Sequence, residues 1–441
     1  MQPQSNKPSL LTRELFKMTW PMLFGILSLM SFQLIDSAFI GQLGVLPLAA
    51  QGFTLPVQMI IIGIQVGLGI ATTAVISRAI GANKQHYAKQ LGGLIITLGS
   101  VGMAVVCSVL WLTKHPLLQL MNAPDSVFPI INTYWIYWLV SAWLGAVLYF
   151  GYSLCRANGN TMLPGAVMVA TSLINLVLDP IFIFTLDLGI NGAAIATIVS
   201  FALGSFIVFP RVTSKNWMVF NWHDLSIRKS LADIAKIMAP AMMSQLLPPV
   251  SSMLATKLIA GFGASAVAAW ALGSRFEFFS IVVVLALTMS LPPMVGRLLG
   301  AGKCDEIERL VMVAIRFILV FQMAVAVVLF AISPWLSDLA TSETSVQSIL
   351  NMHLALIPFS LGPLGVCMLL VSVTNALALS LNALIISALR LFAFYLPCLW
   401  IGARVGELQG LFWGAAVGNI LAGLCAWFVY KQAISNRKKK V

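Results

Sequence analysis

The sequence predicts an all-α membrane protein, with twelve transmembrane helices in two homologous six-helix lobes. Three observations predict it. Of 441 residues, 59% are hydrophobic and only 9% are charged, with a mean hydropathy of +0.94; a soluble globular chain carries about 25% charged residues. Apolar runs long enough to cross a bilayer recur along the whole length. The first half of the chain also returns, in register, in the second.

A membrane-spanning helix needs about 20 mainly apolar residues. Runs of that length fall near residues 16–40, 47–77, 90–113, 128–154, 163–186 and 189–210. The polar stretch VTSKNWMVFNWHDLSIRKS follows, and six more runs come near 232–260, 265–296, 308–335, 346–373, 376–402 and 407–432. The expected organisation is a six-helix lobe over 1–212, a cytoplasmic linker over 213–229, and a second lobe with a basic tail over 230–441. The opening residues MQPQSNKPSLLTRELFK are polar, so no cleavable signal peptide is expected.

Basic residues orient the helices. With the N-terminus inside, the inner segments hold Lys7 and Arg13; Arg78, Lys84 and Lys89; Arg156; Arg211, Lys215, Arg228 and Lys229; Arg297 and Lys303; and the tail residues 437–440. The outer loops hold Lys114 and Arg404. That split of 16 to 2 follows the positive-inside rule. Both termini are therefore expected in the cytoplasm, with the plasma (inner) membrane as location. The same topology accounts for the net charge of +12 better than a nucleic-acid partner, because no basic domain exists to grip phosphate.

The repeat has an offset of 219. Pro21 aligns with Pro240, Gly44 with Gly263, and Ala49–Ala50 with Ala268–Ala269. SRAIGANKQHYAKQL matches GRLLGAGKCDEIERL, pairing Arg78 with Arg297, Gly81 with Gly300, Lys84 with Lys303 and Leu91 with Leu310. NGAAIAT (191–197) matches WGAAVGN (413–419) after a slip of three residues. An even number of helices gives both copies the same orientation, as in transporter repeats related by an axis along the membrane normal.

Several chemistries are excluded on spacing. GRLLGAGKC approaches a phosphate-binding loop, but the spacing to Gly-Lys is one residue too long and Cys304 replaces Ser or Thr. Without a nucleotide site, pumping would draw on an ion gradient. The six cysteines and four histidines show no ligand spacing and read as packing residues, so no metal site or cofactor is expected.

The informative residues are polar ones inside apolar runs, where an ionisable group costs about 2.5–3.5 kcal/mol on insertion scales. Asp36 lies in LMSFQLIDSAFIGQLG, and Asp179 in INLVLDPIFIF, where Asn175 sits one helical turn earlier on the same face. Thr197 in the next span can line the same cavity. Two carboxylates in a low-dielectric site cannot both ionise easily, so the group is expected to bind a proton at physiological pH. Pro21 precedes Asp36 by fifteen residues, or ~22 Å of helix; a proline there removes a backbone bond and permits a bend. Its counterpart Pro240 is kept, but Ala255 stands where Asp36 would be. Ion coupling is thus expected in the first half. The second half's Lys257, Arg275, Glu277, Arg316 and Arg390 read as paired or snorkelling side chains.

Taken in order, WPMLF with LIDSAFIGQLG, ISRAIGA, CRANGNTMLP, INLVLDPIFIF and NGAAIAT resemble the multidrug and toxic compound extrusion (MATE) family, in its DinF-like branch. The likeness covers nearly the whole chain. It implies a V-shaped pair of six-helix lobes, monomeric, exporting organic cations or amphipathic drugs in exchange for H⁺ or Na⁺. Carried over by motif, Asp36, Asn175, Asp179 and Thr197 match a first-lobe cation site, as a proton site or a possible Na⁺ site, with Tyr134 in NTYWIYW as a further cavity residue. The NorM-like branch also uses acids in its seventh and tenth helices. The corresponding spans here, SQLLPPVSSMLATKL and ILNMHLALIPFSLGPLG, contain none, which favours H⁺. The resemblance leaves as an alternative a lipid-linked saccharide flippase of the wider superfamily, which wants a more cationic cavity; an intramembrane enzyme is a different class, for which no catalytic constellation is present in the sequence.

Overall fold

A computed structural model describes residues 8–121 and 123–438; Lys7, Lys439 and Lys440 of the charge count lie outside them. The helices in chain order are α1 (Pro8–Gln42), α2 (Val45–Gly81), α3 (Gln85–Leu112), α4 (Lys114–Leu120), α5 (Phe128–Ala157), α6 (Met162–Pro180), α7 (Gly189–Ser214), α8 (Ile227–Ala260), α9 (Ala264–Ser280), α10 (Val282–Gly300), α11 (Cys304–Ala340), α12 (Thr344–Leu356), α13 (Leu361–Ala376), α14 (Ser380–Ala388) and α15 (Leu396–Lys438). Two π-helical segments, Ile181–Thr185 and Leu389–Tyr395, follow α6 and α14. Among the described residues there is no strand.

Ten of these segments are long and apolar enough by themselves to cross a membrane, so the chain is a multi-pass membrane protein. One of the ten, 380–436, is two helices joined at Gly406 and Glu407, where the backbone leaves helical angles. α8, diluted by Ser244, Gln245, Ser251, Ser252 and Lys257, completes the twelve spans.

Two expected single spans are interrupted. The run 265–296 is cut between α9 and α10, because buried Gln322 of α11 donates its amide to the carbonyl of Ser280 at 3.0 Å. A side chain inserted into the backbone ladder is a recognised cause of a helix break. The run 346–373 is cut by a 3₁₀ turn at Ile357–Ser360, where Pro358 has no N–H to continue the α-helix.

By packing, the chain divides into two units. One is Lys17–Met238. The other takes the residues from Ala239 onward together with the start of α1 up to Phe16, whose ring meets Phe317 edge-on at 4.9 Å. The chain therefore changes unit inside α1 and α8, a few residues before Pro21 and immediately before Pro240.

The repeat is written into the backbone. Gly44 (φ 113°) and Gly263 (φ 98°) precede α2 and α9. Asn83 (φ 58°) and Gly302 (φ 74°) end α2 and α10, each followed by a lysine whose N–H reaches back five residues at 2.9 Å, to Ala79 and to Leu298. Left-handed residues of this kind close helices by satisfying their last carbonyls. Gly159 (φ 79°) and Ala378 (φ 55°) repeat the device, with Asn160 N–H on Cys155 at 2.9 Å and Leu379 N–H on Thr374 at 3.1 Å. Asp187 and Glu407, both at φ 51°, mark a fourth pair, now 220 apart.

Between α7 and α8 the chain runs without helix over Trp217–Asn221 along α3. Val219 N–H bonds Lys89 O at 3.0 Å, and Gln90 Nε2 bonds Asn221 O at 3.0 Å. Gly92 and Gly93 make the fit, since a Cβ on either would overlap the backbone of Trp217 or Val219.

Candidate functional site

Five helices of the first unit bring the polar residues together. α6 carries Asn175 and Asp179 one turn apart, as the i, i+4 spacing requires; they are 1% and 0% exposed. With its amide turned to satisfy both neighbours, Asn175 donates to the two Asp179 oxygens at 2.7 and 2.9 Å. The Asn175 oxygen then lies 3.0 Å from the Thr197 hydroxyl of α7, which is also 3.0 Å from the Ala193 carbonyl. A hydroxyl has one proton, so Thr197 serves one of these acceptors at a time.

Proline shapes the end of α6. Pro180 follows Asp179 directly and lacks the N–H that would bond Leu176, and the π segment Ile181–Thr185 begins at the next residue. Gly192 lets α7 approach that segment, because a Cβ there would overlap the Phe182 carbonyl. This close approach sets Thr197 beside Asn175.

Asp36 on α1 is partly buried. Gln51 Nε2 of α2 donates to its Oδ2 at 3.4 Å, a weak bond, while Oδ1 is buried with no partner. The charge of Asp36 acts on both Asp179 and Tyr134 of α5, whose side chain is 4% exposed. Thus Asp36, Tyr134, Asn175, Asp179 and Thr197 form one neighbourhood. The groups bonded to the two carboxylates are neutral amides.

Pro21 lies lower on α1, against α6. Gly165 packs so tightly on it that a Cβ there would overlap the Pro21 carbonyl, and a Cβ on Gly25 would meet Met168. Pro21 and the two acids therefore share the same two helices.

Sequence reasoning missed Gln51. The available signal was an amide in the first turns of a span, opposite the acid of the preceding helix. It also missed the partner of Glu277, which is His353 at 2.6 Å. Lys257, Arg275 and Arg316 are exposed on their helices, and Arg390 is half-buried in the second π segment. All six cysteines are free, and no cluster of metal-ligating side chains occurs among the described residues.

Twelve spans in two sequence repeats, with Asp36 and Asp179 set among neutral amides in the first, define a transporter class of membrane protein. The MatE family model matches residues 21–181 and again 240–401, each match opening on a repeat-related proline, and the chain belongs to this family of transporters. Its members move small molecules, are not enzymes and need no cofactor. The chain is 30% identical over 425 residues to a FAD transporter of Shewanella oneidensis, covering 95% of this chain and 94% of that one. It is 24% identical over 415 residues to the multidrug export protein MepA of Staphylococcus aureus, covering 93% and 91%. Among solved structures it is similar to the Vibrio cholerae MATE transporter VcmN in the bent form, with a TM-score of 0.96, 64% identity, and coverage of 97% and 98%.

Proposed function

We propose that this transporter exports amphipathic small molecules by antiport with protons, and that Asp36 and Asp179 carry the exchange. One observation carries the reading: fully buried Asp179 and partly buried Asp36 lie on two helices that pack together, α6 and α1, with only neutral amides bonded to them. Two negative charges at membrane depth without a cationic side chain call for a bound proton or metal cation. Deprotonated, the pair attracts water and a cationic drug; protonated, it loses that attraction and α1 bends at Pro21. The 64% identical VcmN was solved in a bent form, which supports a change of shape.

A flavin dinucleotide is the second reading, because the Shewanella relative is named a FAD transporter and the likeness covers 95% of this chain. We place both termini and 213–229 in the cytoplasm of a monomer in the inner membrane, with lobes at 1–212 and 230–441. Cysteines introduced at Ser214 and Gly44 should then label from opposite sides of intact cells.

Proteoliposomes test the rest. A pH gradient alone should drive export of a fluorescent organic cation such as ethidium, and a Na⁺ gradient alone should not. Transport that follows Na⁺ and ignores pH would sink proton coupling and keep the family. Movement of FAD but not ethidium under the same gradient would select the second reading.

A further inference from the structure

The second unit holds an ionisable pair that the acid site does not use. Glu277 of α9 and His353 of α12 meet at 2.6 Å, Oε1 to Nε2. The ring is fully buried, while 22% of the carboxylate side chain stays accessible. Trp270 and Phe412 lie parallel with centroids 6.2 Å apart, and His353 meets each ring at 5.3 Å and nearly at right angles. Gly273, one turn before Glu277, completes the socket, because a Cβ there would overlap the imidazole.

The socket satisfies only one nitrogen. With Nε2–H donating to Glu277, Nδ1 is left buried and without a partner. Buried polar atoms are rarely left unpaired, and each one costs about 1–3 kcal/mol. Here a second proton can be accepted on Nδ1, or on the free carboxylate oxygen, without breaking the Nε2–H···Oε1 bond. The pair then passes from a net charge of −1 to zero, which membrane depth favours.

Its place in the repeat points the same way. At the offset of 219, His353 stands where Tyr134 stands and Trp270 where Gln51 stands. Ala255 removes the aspartate of the first copy, and Glu277 supplies a carboxylate from the next helix instead. Charged or titratable groups on the surrounding elements include Lys257 on α8, Arg275 on α9, Arg297 on α10, Arg316 and Asp338 on α11, Glu343 at the start of α12, Arg404 and Glu407 on α15, and Arg390 with Tyr395 on the π segment. Tyr395 is acted on by the charges of both Glu277 and Arg390.

We propose that Glu277 and His353 form a second proton-binding site, which loads and releases one proton independently of Asp36 and Asp179. It goes beyond the antiport reading and does not depend on which ion that site exchanges.

Trp270 is the reporter, since an imidazolium beside an indole quenches its fluorescence. Emission of the full-length protein in nanodiscs would be scanned from about pH 5 to 9, the range in which histidine sites switch, with Trp270→Phe subtracted. A one-proton transition is expected in the difference. His353→Gln should abolish it, Glu277→Gln should displace its midpoint by about one pH unit or more, and Asp36→Asn should leave it in place. A flat difference would overturn the proposal. So would a transition that survives His353→Gln or vanishes in Asp36→Asn. If His353→Gln does not fold, an unmoved midpoint in Glu277→Gln overturns it as well.

Discussion

Helix α2 runs unbroken for 37 residues, whereas its counterpart in the second half is cut after Ser280 into α9 and α10. The cause is one residue: Gln322 bonds the Ser280 carbonyl, and at the matching place in the first half stands Met103, which has nothing to donate. The turns of the two halves, by contrast, agree within a few tens of degrees in φ, pair by pair. Backbone devices have thus been kept in both copies while side-chain chemistry has diverged. Asp36, Gln51 and Tyr134 become Ala255, Trp270 and His353. The matching region for Asn175 and Asp179 holds Phe394, Tyr395, Cys398 and Leu399, with no acid. Thr197 becomes Asn419, which bonds Ser360 at 3.0 Å.

The largest expected effect breaks that comparison at its chemical end. Asp36→Asn and Asp179→Asn preserve volume and remove titration, so each should reduce gradient-driven transport to background while the protein still folds. Cys398→Ser, in the acid-free counterpart region, should leave transport near wild type. Transport assays on all three variants in proteoliposomes decide it; full activity in Asp179→Asn would return that residue to a structural role.

Next come the prolines. Pro21→Ala restores an N–H for the Lys17 carbonyl and stiffens α1 where it packs on Gly165. Transport should be impaired with substrate binding kept. At Pro240 the carbonyl left without its backbone donor is that of Lys236, and α8 carries no acid at Ala255 that a bend could serve. Pro240→Ala should therefore have the weaker effect on transport. Equal losses at the two prolines would mean that both bends serve the cycle.

How much of this was legible beforehand follows the same division. The twelve spans, the repeat and the i, i+4 pairing of Asn175 with Asp179 were readable because hydropathy and helical periodicity are local. That Tyr134 and Gln51 join the acid neighbourhood depends on how five helices pack, which spacing does not encode. The break at Ser280 was unreadable for the same reason, since its cause lies 42 residues away. His353 read as packing, and half of that is right: its ring does pack, on Trp270 and Phe412, but its edge meets Glu277 from another helix.

A packing contrast is smaller and tests stability. Gly165→Ala drives a methyl into the Pro21 backbone, and overpacking of that kind costs about 1–3 kcal/mol. Gly102 in α3 has nothing within 4 Å of an added Cβ, so Gly102→Ala should gain roughly 0.5–1 kcal/mol from helix propensity. Thermal unfolding of the detergent-purified proteins should move in opposite directions. A stabilised Gly165→Ala would show that α1 and α6 have room to separate.

The smallest effect sits at a turn where the two copies differ by one methyl. Gly159 and Ala378 occupy matching left-handed positions, at φ 79° and φ 55°, and both lead into the same five-residue return bond. For alanine that conformation costs about 1–2 kcal/mol; for glycine it is free of strain, though glycine gives the unfolded chain about 0.4–1 kcal/mol of extra entropy. The difference leaves Ala378→Gly more stable than wild type by about 1 kcal/mol or less, and Gly159→Ala less stable by a similar amount. Equal and opposite shifts in unfolding temperature would show that the two turns are the same device under different loads. A destabilised Ala378→Gly would mean that its methyl, and not the turn, is what the second copy has kept.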